Sequence, residues 1–187
     1  MDLPDFRQPL FQAQEWVHTL LAGVRPDQLD LATPCGDWDV RALVSHLHLV
    51  AERVLVLGRG GDAMSVAEGS VPVGEDLARG FGERSAAARE AWSDDASLTR
   101  TVTVPWGTFP GAVALGGYLP EHVAHGWDLA VATGQPSEAD PSLAAVALAA
   151  AQRGIPAERD GFPFAPVVPS GPKDSPTTRF VHWMGRS

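Results

Sequence analysis

The chain has 187 residues, 44% of them hydrophobic and 20% charged, which is the composition of an ordinary globular protein of one domain. Its formal net charge of −9 argues against nucleic-acid partners, and its single cysteine, Cys35, excludes an internal disulfide framework. No apolar run reaches the roughly 20 residues that a membrane helix needs, and the acidic tract 1–5 lacks the pattern of a signal peptide, so we expect a cytoplasmic protein that contacts neither nucleic acid nor membrane.

The first half of the chain predicts three helices. Apolar residues at spacings of three and four predict a helix over residues 5–24. Turn-forming residues at 33–37 interrupt the pattern. A second helix follows over 39–58, with an aspartate as a good N-cap and with Trp38, which we expect in the core, just before it. A third helix is predicted over 75–92.

The second half predicts one short extended segment and two more helices. Residues 101–104 are strongly β-prone, and their length fits either a short hairpin or an extended connector. A long helix is predicted over 110–133, and Gly134 marks its end. An alanine-rich helix follows over 141–154, with proline in its first turn. Residues 155–187 predict an irregular strap that ends in a short apolar turn.

These elements predict an all-α architecture with little β structure. We expect a four-helix bundle with an extra C-terminal helix in residues 1–154. Residues 155–187 are expected to pack on the same domain as an irregular strap. The alanine-rich helix over 141–154 could expose an apolar face, so a monomer and a homodimer both remain open.

Three polar residues of the long helix point to metal chemistry. Glu121 and His125 are four residues apart, so their side chains lie one turn apart on the same face of the helix. Two donors at this spacing can bind one divalent cation, although a solvated surface pair has the same spacing. Asp128, three residues after His125, could accept a hydrogen bond from its imidazole.

A third ligand would have to come from another helix. The second helix offers His46 and His48, which lie about 100° from the centre of its apolar stripe, on opposite sides. The periodicity therefore does not choose between them. Each could instead be a boundary histidine with one hydrogen bond.

Two segments resemble a known family. The sequence from Thr33 to Leu47 resembles the T-P-C-x-x-W-x-V-x-x-L-x-x-H-L signature of the mycothiol-dependent maleylpyruvate isomerase N-terminal domain. The sequence from Glu121 to Gly134 resembles the same family's E-x-x-x-H-G/A-W-D-L-A-x-A-T-G motif. The likeness continues to the closing Met184-Gly185-Arg186. Two long motifs in the right order make the match specific.

The resemblance implies a DinB-like four-helix bundle with a metal site. Its first motif contributes a histidine ligand, which is His46 here rather than His48, and its second contributes Glu121 and His125. The implied ion is a divalent metal, usually zinc, with coordination positions left open. Three protein ligands are typical of a catalytic rather than a structural zinc site.

The resemblance also implies a thiol cofactor, mycothiol, and hence a small-molecule thiol and an electrophilic substrate as partners. Because a divalent cation stabilises a thiolate over a thiol, we expect a thiol-dependent S-transferase or isomerase. A non-catalytic metal-binding or interaction module and a metal-dependent hydrolase are the alternatives. The family's isomerase carries a further C-terminal domain where this chain has its strap, so we expect a stand-alone relative of the metal-binding domain.

Cys35 allows two interpretations. It lies just before a predicted helix N-terminus, where the helix dipole lowers the pKa of a thiol, so it could act as a nucleophile or form a mixed disulfide. Alternatively, it packs in its loop as a small hydrophobic side chain. The resemblance includes Cys35 in the family motif without giving it a role.

Overall fold

The computed structural model describes residues 4–187, so residues 1–3 of the acidic tract considered above lie outside the described residues. Within the described part, the chain forms seven α-helices and one two-stranded sheet. In chain order these elements are α1 (Arg7–Ala22), α2 (Val40–Gly58), α3 (Leu77–Ala91), α4 (Ala96–Thr99), β1 (Thr101–Val104), β2 (Gly107–Pro110), α5 (Gly111–Thr133), α6 (Pro141–Gly154) and α7 (Pro176–Trp183).

The five predicted helices are present as α1, α2, α3, α5 and α6. Local side-chain chemistry sets their ends. The carboxylate of Asp39 accepts a hydrogen bond from the Ala42 backbone N–H at 2.7 Å and caps α2. Helix α5 ends at Gly134, whose φ of +69° is a left-handed conformation that favours glycine. The predicted all-α class is therefore confirmed at the level of a mostly helical protein.

The β-prone segment forms a hairpin rather than a connector. Strands β1 and β2 are antiparallel, with Thr101 paired to Pro110 and Val104 paired to Gly107. Val102 and Val104 are buried, whereas Thr101 and Thr103 face outward, so the alternation along β1 matches a strand with one packed face.

The prediction for the C-terminus is partly wrong. Residues 155–175, all within the described chain, contain no helix or strand, as expected for the strap. Beyond them, however, the predicted short apolar turn is the two-turn helix α7. The Ser175 hydroxyl accepts a hydrogen bond from the Thr178 N–H at 3.0 Å, and Pro176 occupies the first turn. The cap and the buried Phe180 and Val181 stabilise a helix that is too short for periodicity to predict. The short helix α4 was not predicted either.

Packing brings α2 and α5 side by side in opposite directions. Helix α1 packs against α3 and α5, and α2 packs against the same two helices. Trp92 packs between the end of α2 and the start of α5. A Cβ added to Gly58 would lie 2.7 Å from its ring, and one added to Gly111 would lie 2.8 Å from it. Its indole N–H donates to the Val54 carbonyl at 2.8 Å. This antiparallel arrangement places His46, near the start of α2, beside the middle of α5.

On the side of α5 that faces α1, the two helices are in close contact at Gly126. A Cβ on Gly126 would lie 2.8 Å from the ring of Trp16 on α1 and 3.2 Å from Val17. Glycine at this position therefore lets α1 approach α5 immediately beside His125. Helix α6 packs against α5 and α7. Among residues 4–187, none of the helices is both long and apolar enough to cross a membrane.

Candidate metal centre

Three of the predicted donors meet between α2 and α5. Nε2 of His46 lies 2.9 Å from Oε1 of Glu121, and Nε2 of His125 lies 3.8 Å from the same oxygen. One donor atom from each residue lies within 4.8 Å of the other two. Ligands about 2 Å from a tetrahedral zinc ion are roughly 3.3 Å from one another. The donor types and their spacing therefore fit one divalent cation.

The cluster is only partly covered by protein. The side chains of His46 and His125 are 18% and 11% exposed, and that of Glu121 is 32% exposed. Glu121 is therefore the most exposed of the three side chains, whereas the two imidazoles are largely enclosed.

Glu121 is negatively charged at neutral pH. Burial alone would favour its neutral form, but the hydrogen bond with His46 and the nearby imidazole of His125 outweigh this effect and lower the pKa of Glu121 to about 2. An ionised carboxylate is the form that binds a cation.

The orientation of His125 is set by a hydrogen bond. Its Nδ1 lies 3.0 Å from Oδ2 of Asp128, which is fully buried. Because a carboxylate only accepts hydrogen bonds, Nδ1 of His125 donates to Asp128, and Nε2 is the ring nitrogen on the side of Glu121. The hydrogen bond expected from the three-residue spacing of His125 and Asp128 is therefore present.

Asp128 has a second partner that sequence reasoning missed. Arg186 donates from Nε to Oδ1 and from Nη2 to Oδ2, both at 2.8 Å. Burial opposes ionisation of Asp128, but the hydrogen bonds from His125 and Arg186 lower its pKa below the usual value. The two residues are 58 positions apart, so no local pattern links them. The resemblance included Arg186 only in the closing Met184-Gly185-Arg186 and gave it no role.

Trp38 forms one wall of the centre. Its ring centroid lies 4.7 Å from that of His46 and 5.8 Å from that of His125, with which it stacks at an interplanar angle of 25°. The turn before α2 holds it in place, because Thr33 donates to the Trp38 carbonyl from both its backbone N–H and its hydroxyl. Trp38 was expected in the core, whereas it is half-buried and contacts both imidazoles.

The structure separates His48 from this cluster. His48 is fully buried on the side of α2 that faces α3. Its Nε2 donates to the Leu77 carbonyl at 3.0 Å, and its Nδ1 accepts from the Arg84 guanidinium at 3.1 Å. Burial and the positive charge of Arg84 lower the pKa of His48 to about 4, so it is neutral at pH 7.

His122, next to Glu121 in the chain, forms hydrogen bonds outside this cluster. Its Nδ1 donates to the Tyr118 carbonyl at 2.8 Å, and its Nε2 lies 3.2 Å from the side-chain nitrogen of Gln14. The side-chain oxygen of Gln14 in turn accepts from the Ser85 hydroxyl at 2.7 Å. This buried network connects α5 with α1 and α3. Burial lowers the pKa of His122 to about 4.

Cys35 lies at the edge of the centre without an activated thiol. Its sulfur and one donor atom each of His125 and Asp128 lie within 4.8 Å of one another, and Nη2 of Arg186 is 4.0 Å from the sulfur. Burial and the Asp128 carboxylate raise the pKa of Cys35, so the lowering expected from the helix dipole is wrong. This environment favours the interpretation of Cys35 as a packing residue.

A mostly helical fold that brings two imidazoles and a carboxylate together is consistent with the DinB-like superfamily. The mycothiol maleylpyruvate isomerase N-terminal domain family matches residues 10–130, and the chain belongs to this family. It is 34% identical over 178 residues, 94% of each chain, to uncharacterized protein Rv0738 of Mycobacterium tuberculosis strain H37Rv. The same values relate it to uncharacterized protein MT0763 of strain CDC 1551 / Oshkosh. No solved structure matches the chain.

Proposed function

We propose that this protein is a DinB-like four-helix bundle that binds one divalent cation through His46, Glu121 and His125, and we propose zinc as this cation. The observation that carries the proposal is the convergence of both Nε2 atoms on Oε1 of Glu121, at 2.9 and 3.8 Å. The bundle would consist of α1, α2, α3 and α5, which pack on one another in a closed ring of contacts.

We further propose that the centre serves a thiol-dependent S-transferase or isomerase. A divalent cation bound there would supply positive charge that stabilises a thiolate over a thiol. As ligands, two imidazoles and one carboxylate would contribute one negative charge, so they would neutralise only part of the cation's charge and leave the centre attractive to an anionic sulfur. Three protein ligands also leave a tetrahedral ion one free position.

The surrounding residues support this proposal. Asp128 keeps the proton on Nδ1 of His125, which leaves Nε2 available as a ligand. Trp38 covers both imidazoles and limits access of water from that side. The exposed part of Glu121 marks the side from which a thiol and an electrophile can approach. The chain belongs to the mycothiol maleylpyruvate isomerase N-terminal domain family, so we propose mycothiol as the thiol.

The first experiment measures metal content. Protein purified without chelator should contain about one divalent ion per chain, as determined by mass spectrometry of the digested protein. His46→Ala should lose most of the metal, because it removes one of three donors. His48→Gln is the matched control two residues away and should retain it. Equal metal content in His46→Ala and wild type would contradict the proposed ligand set.

The second experiment tests the use of a thiol. Mycothiol and a small electrophile are mixed with zinc-loaded wild type or with His46→Ala, and the conjugate is quantified over time. We expect faster conjugation with the wild type. Equal rates would refute the thiol function and leave metal binding intact. Turnover with water alone would instead support the hydrolase alternative, and no turnover in either assay would support a non-catalytic module.

A further inference from the structure

The C-terminal end of α7 directs one side chain into the centre. The backbone N–H of Gly185 donates to the His182 carbonyl at 3.0 Å, and that of Arg186 donates to the Val181 carbonyl at 2.9 Å. Together with the φ of +78° at Gly185, these two bonds form a Schellman cap. Arg186 is the first residue after the left-handed glycine, so the cap sets the direction in which its side chain leaves the helix.

The strap fixes this cap from the other side. A Cβ on Gly185 would lie 2.7 Å from the carbonyl oxygen of Ala165 and 2.8 Å from its Cβ. The backbone N–H of Val168 also donates to the His182 carbonyl at 3.0 Å. The strap therefore packs directly on the end of α7, and glycine is required at position 185 for both its backbone conformation and its size.

The guanidinium of Arg186 holds Asp128 in a two-pronged contact. Nε and Nη2 each donate to a different carboxylate oxygen at 2.8 Å, while Nη1 donates to the Met184 carbonyl at 3.1 Å. The Arg186 side chain is only 12% exposed, and Asp128 is fully buried. Such a fork fixes the plane of the carboxylate, which a single contact would not do. The Asp128 oxygen that receives Nη2 is also the one that accepts from His125.

We propose that Arg186 is a positioning residue for the metal centre: by fixing the orientation of Asp128, it holds His125 with Nε2 toward Glu121. The proposal rests on the proposed metal-binding function. Arg186 lies outside the residues 10–130 that match the family, so the segment after the family domain completes the site. Without Arg186, the Asp128 carboxylate can rotate, and the His125 ring loses the hydrogen bond that fixes its orientation and tautomer.

The test measures zinc affinity of the full chain by competition with a chromophoric chelator. Arg186→Gln should weaken binding by at most about 10- to 100-fold, the loss that is usual when the direct partner of a metal ligand, here Asp128, is removed. Arg186→Lys keeps the charge but not the fork and should lose less. Arg179→Gln is the matched control, because Arg179 lies on α7, just before the cap, and donates to the Pro172 carbonyl at the surface. It should bind zinc like the wild type.

A second variant separates positioning from a general loss of structure. If Arg186 acts through Asp128, adding Arg186→Gln to Asp128→Asn should weaken zinc binding little further. An equal additional loss in both backgrounds would contradict the proposal. Circular dichroism shows whether Arg186→Gln folds. If it does not, zinc affinity is measured with Arg186→Lys instead, and wild-type affinity in that variant would overturn the proposal.

Nitrogen-15 NMR of His125 in the metal-free protein gives a readout that does not need zinc. We expect the Nδ1-protonated form in the wild type and in Arg179→Gln, and a mixture of tautomers in Arg186→Gln. A wild type that binds no zinc would refute the proposed function, while the NMR result would still decide the positioning role. Normal zinc binding and an unchanged tautomer in Arg186→Gln would refute the positioning role alone.

Discussion

Replacing His48 by glutamine should make the fold less sensitive to acid without affecting the proposed metal centre. His48 is fully buried, with Nε2 donating to the Leu77 carbonyl and Nδ1 accepting from Arg84. A glutamine amide can donate through its nitrogen and accept through its oxygen, so it can keep both hydrogen bonds. It cannot take up a proton. The substitution therefore removes the ionisation and leaves the polar contacts.

The size of the effect follows from the pKa of His48. Burial and then the charge of Arg84 lower this pKa from 6.5 to about 4 in the folded protein. As the pH falls below 6.5, the unfolded chain binds a proton at His48 that the folded chain does not, so the free energy of unfolding decreases. The decrease ends near pH 4, where the folded protein binds the proton too. The difference between the two pKa values, 6.5 and about 4, corresponds to a loss of about 3 kcal/mol in the free energy of unfolding.

The assay is urea unfolding of metal-free protein at intervals from pH 8 to pH 4, followed by tryptophan fluorescence. Between pH 6.5 and pH 4 the wild type should lose about 3 kcal/mol more stability than His48→Gln. The control is His18→Gln, at an exposed histidine on α1, which should follow the wild type. Parallel curves for wild type and His48→Gln would refute the reasoning, because they would mean that His48 titrates normally in the folded protein.

Two other predictions concern packing and metal. Gly126→Ala should destabilise the protein by about 1–3 kcal/mol, because its Cβ would lie 2.8 Å from the Trp16 ring. Urea unfolding measures this, and no loss would show that α1 can shift away from α5. Free zinc at 100 times its dissociation constant should raise the free energy of unfolding of the wild type by about 2.7 kcal/mol and leave His46→Ala nearly unchanged. An equal increase in both proteins would indicate zinc binding outside the proposed centre.

Much of the site could be predicted from the sequence because its residues are close in the chain. The spacing of Glu121, His125 and Asp128 places them on one face of a helix whatever that helix packs against. The helices themselves follow from apolar periodicity and from caps such as Asp39, which act within a few residues. The hydrogen bond between His125 and Asp128 required no knowledge of the remaining chain.

The choice between His46 and His48 required the tertiary structure. The two residues have equivalent positions relative to the apolar stripe of α2, and only the packing of that helix decides which one faces α5. The family resemblance favoured His46 because of its place in the motif, without giving a physical reason. The contact of its Nε2 with Glu121 gives a physical reason for that choice.

The contact between Arg186 and Asp128 shows most clearly what the sequence alone could not predict. Periodicity describes what one helix exposes, but the contact between these residues depends on how α7, the strap and α5 pack, across 58 positions of the chain. The sequence by itself determined where the five longer helices form and which of their side chains share a face. The tertiary structure decided which faces meet, because that depends on the packing of the whole chain and not on any short segment of it.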